Sequence, residues 1–433
     1  MSDLRDKIVG FLVECTRLVI GVTFLFSGFV KAIDPYGFAY KIEDYLIAFQ
    51  LVELFPLALP AALLMVVAEF ALGVTLLLGV YRKWTLRLIG LFMLLYTPLT
   101  LWIALTNPVE DCGCFGDAFI ISNWQTFYKN LVLLLGTLFL LLNWRKMKPL
   151  FSRKSAPLTA IFTVVFGFLF SLYNLFHYPI MDFRPYHVGA NIPGQMQVDS
   201  EKGDLLETIF IYSKEGVEQE FTEEKLPWED STWTYVDART RVVQEGEKPA
   251  IEDFALAAIY RDDADVEWYT GGDVTDLILS EPSYQLLMIA YSLEKVREGR
   301  LDRFISARNY AEAHGYPFYL LTASSPQGVG NWEGRHQTCF QFIQADEREL
   351  KTMIRSQPGL MLLKGGVVIN KWGYLGVPHF NEVKTPLDES QLVSPPDRKQ
   401  AEAGRLGITA LLFAVPLLLL KGRERCFLKN KSI

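Results

Sequence analysis

Cys112 and Cys114 stand one residue apart in the acidic, turn-rich stretch Asn107-Pro-Val-Glu-Asp-Cys-Gly-Cys-Phe-Gly-Asp117, between two long apolar segments. Two thiols this close have two chemistries open to them. They can cycle between a dithiol and a small strained disulfide, or hold a soft metal ion together. Gly113 between them and Gly116 just after give the backbone the freedom a tight turn needs. Asp111 and Asp117 flank the pair, and neighbouring carboxylates are expected to raise a thiol's pKa and slow its attack. A metal site needs two further ligands, and the loop offers only carboxylates and backbone, so no metal is assigned. The remaining cysteines, Cys15, Cys339 and Cys426, lie far away in sequence. Cys15 falls in the first apolar segment and Cys426 in a basic tail, so neither can resolve the pair. Cys339 follows His336 by three residues beside a predicted strand and reads as buried packing.

The elements that must position this loop are membrane spans. The chain has 433 residues, half of them hydrophobic, and a formal net charge of -7. Six apolar stretches, near 8–31, 57–79, 86–106, 124–143, 157–177 and 405–421, approach or exceed the length that crosses about 30 Å of hydrocarbon. The first is too long for a signal-peptide core and reads as a retained anchor. Arg82, Lys83 and Arg87 flank one turn, Arg145 to Lys154 fill another, and Lys421 to Lys431 follow the last span. With the N-terminus inside, all three clusters are cytoplasmic, and the Cys-Gly-Cys loop and the large acidic segment lie outside. A bacterial inner-membrane protein with both termini in the cytoplasm is expected, with membrane lipid as an obligatory partner. The acidic half excludes a nucleic-acid partner.

Three charges fall within the spans. Glu14 and Arg17 share a helix face at i,i+3, and Glu69 lies near the middle of the second span. Such charges are costly in hydrocarbon and pair in the bundle interior, so they read either as a proton or ligand relay or as an ion pair that pins the two helices, with Arg17 expected to meet Glu69. The segment Tyr36–Leu54 mixes aromatics and charges and reads as an amphipathic piece on the outer surface.

Gly21-Val-Thr-Phe-Leu-Phe-Ser-Gly-Phe-Val-Lys31, Asp34-Pro35 and Ala68-Glu-Phe-Ala-Leu-Gly-Val-Thr-Leu-Leu-Leu-Gly79 resemble the DoxX family of four-helix membrane proteins. The Cys112-Gly-Cys-Phe-Gly116 loop is similar to the related MauE branch, and chains joining such a domain to a large outer domain resemble DoxX family proteins of Bacteroidota. The resemblance covers about residues 8–145. It implies help with disulfides in an exported or membrane partner, or association with redox complexes. No cofactor is fixed, and a quinone is left open.

Past the fifth span, Phe183–Pro193 reads as an extended tether, and residues 205–245 carry alternating hairpin runs. From about 249 the order becomes strand, helix, strand, helix, strand, strand. Leu286–Tyr291 is continuously apolar, as a central parallel strand should be. That order resembles the thioredoxin fold in its TlpA or peroxiredoxin-like form. Pro358 falls where the family has a cis-proline before its third strand. Where the family has Cys-x-x-Cys this chain has Ser292-Leu-Glu-Lys295, so the domain carries no attacking thiol and is expected to be a docking module. The expected fold is a membrane all-α part joined to an α/β thioredoxin-like soluble domain. Its divisions are 1–148, 157–177, 178–248, 249–395, 405–421 and 422–433. Two functions stay open: thiol–disulfide or electron-transfer chemistry through Cys112 and Cys114, supported by Phe115 and the loop, or a non-enzymatic scaffold for assembling an exported or respiratory complex.

Overall fold

The computed structural model describes the chain except residues 1, 110, 199–204, 215, 229, 231, 245, 247, 253, 262–266, 395–396 and 430–433. Glu110 of the cysteine loop and Lys431 of the basic tail therefore lie outside the described residues.

Among the described residues six helices are long and apolar enough to cross a membrane, which makes this a multi-pass membrane protein. They are α1 (Ser2–Ile33), α3 (Ala58–Leu78), α4 (Arg82–Thr106), α5 (Asn123–Asn143), α6 (Ala156–Phe176) and α12 (Arg398–Lys429). A shorter helix, α2 (Pro35–Ala48), follows α1 directly. Asp34 caps it, accepting a hydrogen bond from Gly37 N–H at 2.9 Å, and Pro35 sits where its missing N–H costs nothing. The segment expected to lie on the surface thus folds against the bundle, with Pro35, Phe38 and Ala39 buried. Ser122 and Gln125 start α5 with a reciprocal capping box. The faces of α1, α4, α5 and α6 that carry exposed residues such as Phe11, Leu18, Leu94, Val132 and Ile161 are apolar, as a lipid-facing surface requires.

The second half is rich in sheet. Residues 205–244 form a three-stranded antiparallel sheet in the order β2 (Val217–Thr222), β1 (Leu205–Lys214), β3 (Thr234–Gln244), which agrees with the hairpin pattern. The main sheet has seven strands. They are β4 (Ala257–Arg261), β5 (Trp268–Asp273), β6 (Tyr284–Ile289), β7 (Phe318–Thr322), β8 (Gln341–Gln344), β9 (Gly359–Lys364) and β10 (Val367–Gly373), ordered β10-β9-β6-β7-β8-β4-β5. β6, β7 and β8 run parallel, and the other neighbours are antiparallel. β6 is buried along its whole length, which explains its unbroken apolar run.

Phe304, Tyr310 and Trp332, from α9 (Leu301–Ala313) and α10 (Pro326–His336), fill one face of the sheet. The other face holds α8 (Thr275–Leu279), α11 (Glu347–Met353) and the turn α7 (Ile192–Gln195). The expected tether is part of this core. Tyr186, Ala190 and Ile192 are buried, and Gly189 N–H and Ile192 N–H donate to the carbonyls of Val368 and Gly366. Its apolar residues gain more by covering the sheet than a solvated linker would.

Candidate functional site

The loop between α4 and α5 is held open-sided over the end of the bundle by side chains from three helices. Ser27 of α1 donates to the Cys114 carbonyl at 2.7 Å, and Tyr45 of α2 donates to the Cys112 carbonyl at 2.7 Å. Lys41 of α2 pairs with Asp111 at 2.7 Å, and Asp111 in turn accepts from Gly113 N–H at 2.7 Å. Gly113 has φ +64°, and a Cβ there would press on the Lys41 side chain, so only glycine suits this position. Phe115 lies between Phe26 (5.5 Å) and Phe119 (6.4 Å), under the Lys129 ammonium at 4.3 Å.

This clamp sets the two sulfurs 2.8 Å apart, with Cys112 donating its S–H to Cys114. Cys112 is 7% exposed and its sulfur lies 3.4 Å from the Thr126 hydroxyl, whereas Cys114 is half-buried. The shared hydrogen bond, then burial, push the Cys112 thiol far above its usual range. The same hydrogen bond leads in bringing Cys114 down to about 6, against burial and with help from Lys129 and Lys31. The flanking carboxylates do not govern the pair as the sequence suggested, because each already has a cation: Asp111 has Lys41, and Asp117 has Arg355 at 3.1 Å. Cys114 is thus the more exposed of the two sulfurs and the one whose thiol is drawn toward ionisation.

Glu69 is buried beneath the loop, but its partner is not Arg17. Lys31 donates to both carboxylate oxygens at 2.9 and 3.0 Å and Tyr96 donates at 2.8 Å, while the Ser27 hydroxyl, also 2.8 Å away, has one proton to share between Glu69 and the Cys114 carbonyl. Arg17 lies ten residues before Ser27 on α1, about 15 Å along the helix axis. There it bonds Glu14 at 3.1 Å and the carbonyls of Leu77 and Lys148, closing the opposite end of the bundle. Glu14 and Arg17 therefore belong to helix packing and not to the cysteine site.

The sheet domain meets the membrane bundle at the same place. Arg355, between α11 and β9, bridges Asp34 at 2.9 Å and Asp117 at 3.1 Å. Lys351 and Arg348 of α11 face Glu43 and Asp44 of α2 at 3.9 Å. Arg297 reaches the Tyr36 hydroxyl at 3.4 Å. Below them Asp182 ties together Arg184, Lys371 and Tyr178, while Arg398 at the start of α12 donates to its carbonyl. A cavity of about 20 Å³ at this junction, room for about one water, touches Lys31, Gly113, Gly116 and Arg184.

Ser292–Lys295 and Pro358 come together at this end of the sheet domain. The Gln357–Pro358 bond is cis, and the Gln357 amide donates to the Ser292 carbonyl. Cys339 is exposed in a φ +54° turn after α10, contrary to the expectation of burial. It makes no couple with His336, which lies 3.2 Å from Glu298 and against the Trp332 ring. Among the described residues no cluster of three or more His, Cys, Asp or Glu could hold a metal. The sequence reading missed Lys31, Ser27, Lys41, Tyr45, Lys129 and Arg355. Ser27 and Lys31, one turn apart on an otherwise apolar helix end, were the available signal for the first two.

Comparison with known proteins bears on two segments. Residues 206–245 match a domain of unknown function, DUF8463. No curated protein and no solved structure matches the chain. The family described as Methylamine utilisation protein MauE matches residues 9–143, so the membrane part that carries the cysteine loop, from α1 to the end of α5, is similar to that family.

Proposed function

We propose that this protein carries out thiol–disulfide exchange at the outer face of a bacterial inner membrane, with Cys114 as the exchanging thiol and Cys112 as the resolving one. The observation that carries the reading is the 2.8 Å sulfur pair, in which Cys114 is the more exposed cysteine and its thiol pKa is drawn down to about 6. In the reductive direction the Cys114 thiolate attacks one sulfur of a partner's disulfide. The partner's other sulfur leaves as a thiolate. Cys112 then loses its proton and attacks the Cys114 sulfur, closing the Cys112–Cys114 disulfide and releasing the partner's second thiolate. The partner has gained two electrons and the loop has lost two. The reverse sequence oxidises a partner dithiol, and relative potentials decide the direction.

The sheet domain fits this scheme as a cover and not as a second exchange site. Its parallel β6–β7 pair, the antiparallel β9–β10 hairpin, the cis peptide before β9 and Ser292–Lys295 after β6 support the thioredoxin-like reading. The end that bears those features faces α2 and the cysteine loop of its own chain through Arg355, Lys351 and Arg297. The similarity of residues 9–143 to the MauE family supports a membrane accessory role in the maturation of an exported protein. The Lys and Arg clusters of the short connections support an orientation with both termini in the cytoplasm and the sheet domain outside.

The test is the redox state of Cys112 and Cys114 in intact cells, read by alkylation before and after a brief reductant challenge. Oxidised thiols that open on challenge and reclose afterwards are expected. A pair that keeps one state throughout would leave the scaffold role as the better reading.

A further inference from the structure

The polar residues buried beneath the loop are more than helix packing requires. Lys31 and Glu69 join α1 to α3, and both are almost fully buried, at 4% and 2% exposure. These two helices are already locked by glycines. A Cβ on Gly28 would collide with the Phe70 backbone, and one on Gly73 with the backbone of Leu25. A buried ion pair contributes little to association that close packing already secures, and apolar replacements often do as well. Its placement has another consequence. Ser27 stands within hydrogen-bond distance of both Glu69 (2.8 Å) and the Cys114 carbonyl (2.7 Å), so the pair is attached to the thiol's own backbone.

The charges that act on Cys114 can be counted by helix. α1 supplies Lys31 and α3 supplies Glu69, paired at 2.9 Å and linked through Ser27 to the Cys114 carbonyl, and α5 supplies Lys129, whose ammonium lies 4.3 Å over the ring of Phe115, the residue after Cys114. Tyr45 of α2 and Tyr96 of α4 add hydroxyls that donate to the Cys112 carbonyl and to Glu69, and the loop supplies the Cys112 thiol. Asp111 is taken by Lys41. Asp34 and Asp117 share Arg355, and Asp182 is held by Arg184 and Lys371, so among the described residues the two cations and one anion leave one positive charge uncompensated at the rim of the hydrocarbon, where a lone charge is expensive. A thiolate at Cys114 brings the set to neutrality.

We propose that Lys31, Glu69 and Lys129 form a preset charge socket whose missing member is the Cys114 thiolate. The inference deepens the exchange reading by naming the residues that hold the thiol ionised. They are positioning residues, since none needs to touch the partner's sulfur.

The experiment is the pH profile of Cys114 alkylation in membranes of the full chain, resolved by peptide mass spectrometry so that Cys15, Cys339 and Cys426 do not contribute. Removing a cation should move the midpoint up by about 1 unit, in Lys129→Met and in Lys31→Met. Glu69→Gln should move it down by a similar amount. The double variant Lys31→Met/Glu69→Gln removes one charge of each sign and should return near the parent. Midpoints that stay put, or that all drift the same way, would overturn the socket. Should the buried single variants fail to accumulate, Lys129→Met and the charge-neutral double variant still decide it. The midpoint belongs to the thiol whether or not it exchanges with a partner. Loss of reclosure in cells with normal midpoint shifts would therefore sink the exchange reading alone.

Discussion

The order of attack at the cysteine pair can be read by trapping. Cys112→Ser removes the resolving thiol and leaves Cys114 with a hydroxyl donor in place of the S–H that now sits 2.8 Å away. With its pKa near 6, Cys114 is about 90% thiolate at pH 7, against about 3% for an ordinary thiol near 8.5. That gain of about 30-fold is partly offset, because nucleophilicity falls with pKa. A Brønsted slope of about 0.45 over about 2.5 units removes a factor of about 13. Cys114 should thus attack about twice as fast as a free thiol at neutral pH, and its advantage should grow as pH falls toward 6. Cys114→Ser leaves only Cys112 in the loop, at 7% exposure and so less accessible to a partner sulfur.

The assay is affinity purification of each variant from alkylated cells, followed by non-reducing electrophoresis. Cys112→Ser should hold a mixed disulfide in at least about tenfold greater yield than Cys114→Ser. The yield should climb through pH 6 and level off above 7, because the thiolate exists above the depressed pKa. Equal yields, or an adduct through Cys112 only, would refute the assignment of Cys114 as the attacking sulfur.

Four further outcomes follow. Arg355→Ala leaves Asp34 and Asp117 without their shared cation and should weaken docking of the sheet domain by about 1–3 kcal/mol; faster alkylation of Cys114, mimicked in the parent by high salt, is the readout. Gly28→Ala forces α1 and α3 apart and should lower the amount of folded protein in membranes, measured by detergent-extracted monodisperse yield. A membrane-impermeant thiol reagent on intact cells with a permeabilised outer membrane should reach Cys339 and Cys114 and spare Cys426; labelling of Cys426 would reverse the proposed orientation. Burial brings the Lys371 ammonium down to about 7, with Asp182 opposing. Below pH 7 folded and unfolded chains both carry that proton and the penalty is full. Between about 7 and 10.5 the unfolded chain holds more protons, so this group makes stability rise with pH. Lys371→Met should flatten the rise of the urea midpoint between pH 7 and 9, followed by tryptophan fluorescence.

What the sequence discloses here depends on how far a residue's partner lies along the chain. Six spans follow from length and hydropathy, because hydrocarbon thickness is a one-dimensional constraint. β6 follows from an apolar run bounded by turns, and α9 from one buried stripe containing Phe304, Ala307, Tyr310 and Ala311. Cys112 and Cys114 are conspicuous because their partner is two residues away. The surroundings that decide their chemistry are not local. Lys41 and Tyr45 lie about seventy positions earlier, and Asp117 and Arg355 are separated by 238.

Pairing charges by type alone led to Arg17–Glu69, whereas helical rise puts Lys31 at the right height and Arg17 about 15 Å away. Composition led to a buried Cys339, but a left-handed turn after α10 carries it outward. The loss of Cys-x-x-Cys suggested a domain free to dock elsewhere. The structure instead turns the Ser292–Pro358 end toward the membrane part, where Arg355 holds an aspartate from the cysteine loop and another from the start of α2. The two halves are then complementary under the exchange reading. One has a half-exposed thiol in its loop, and the other has a cysteine-free face whose Arg348, Lys351 and Arg355 match Asp44, Glu43, Asp34 and Asp117 around that loop. Such a pairing ties access at Cys114 to a handful of ion pairs, which is why salt and Arg355, remote from the sulfur in sequence, should govern how fast it reacts.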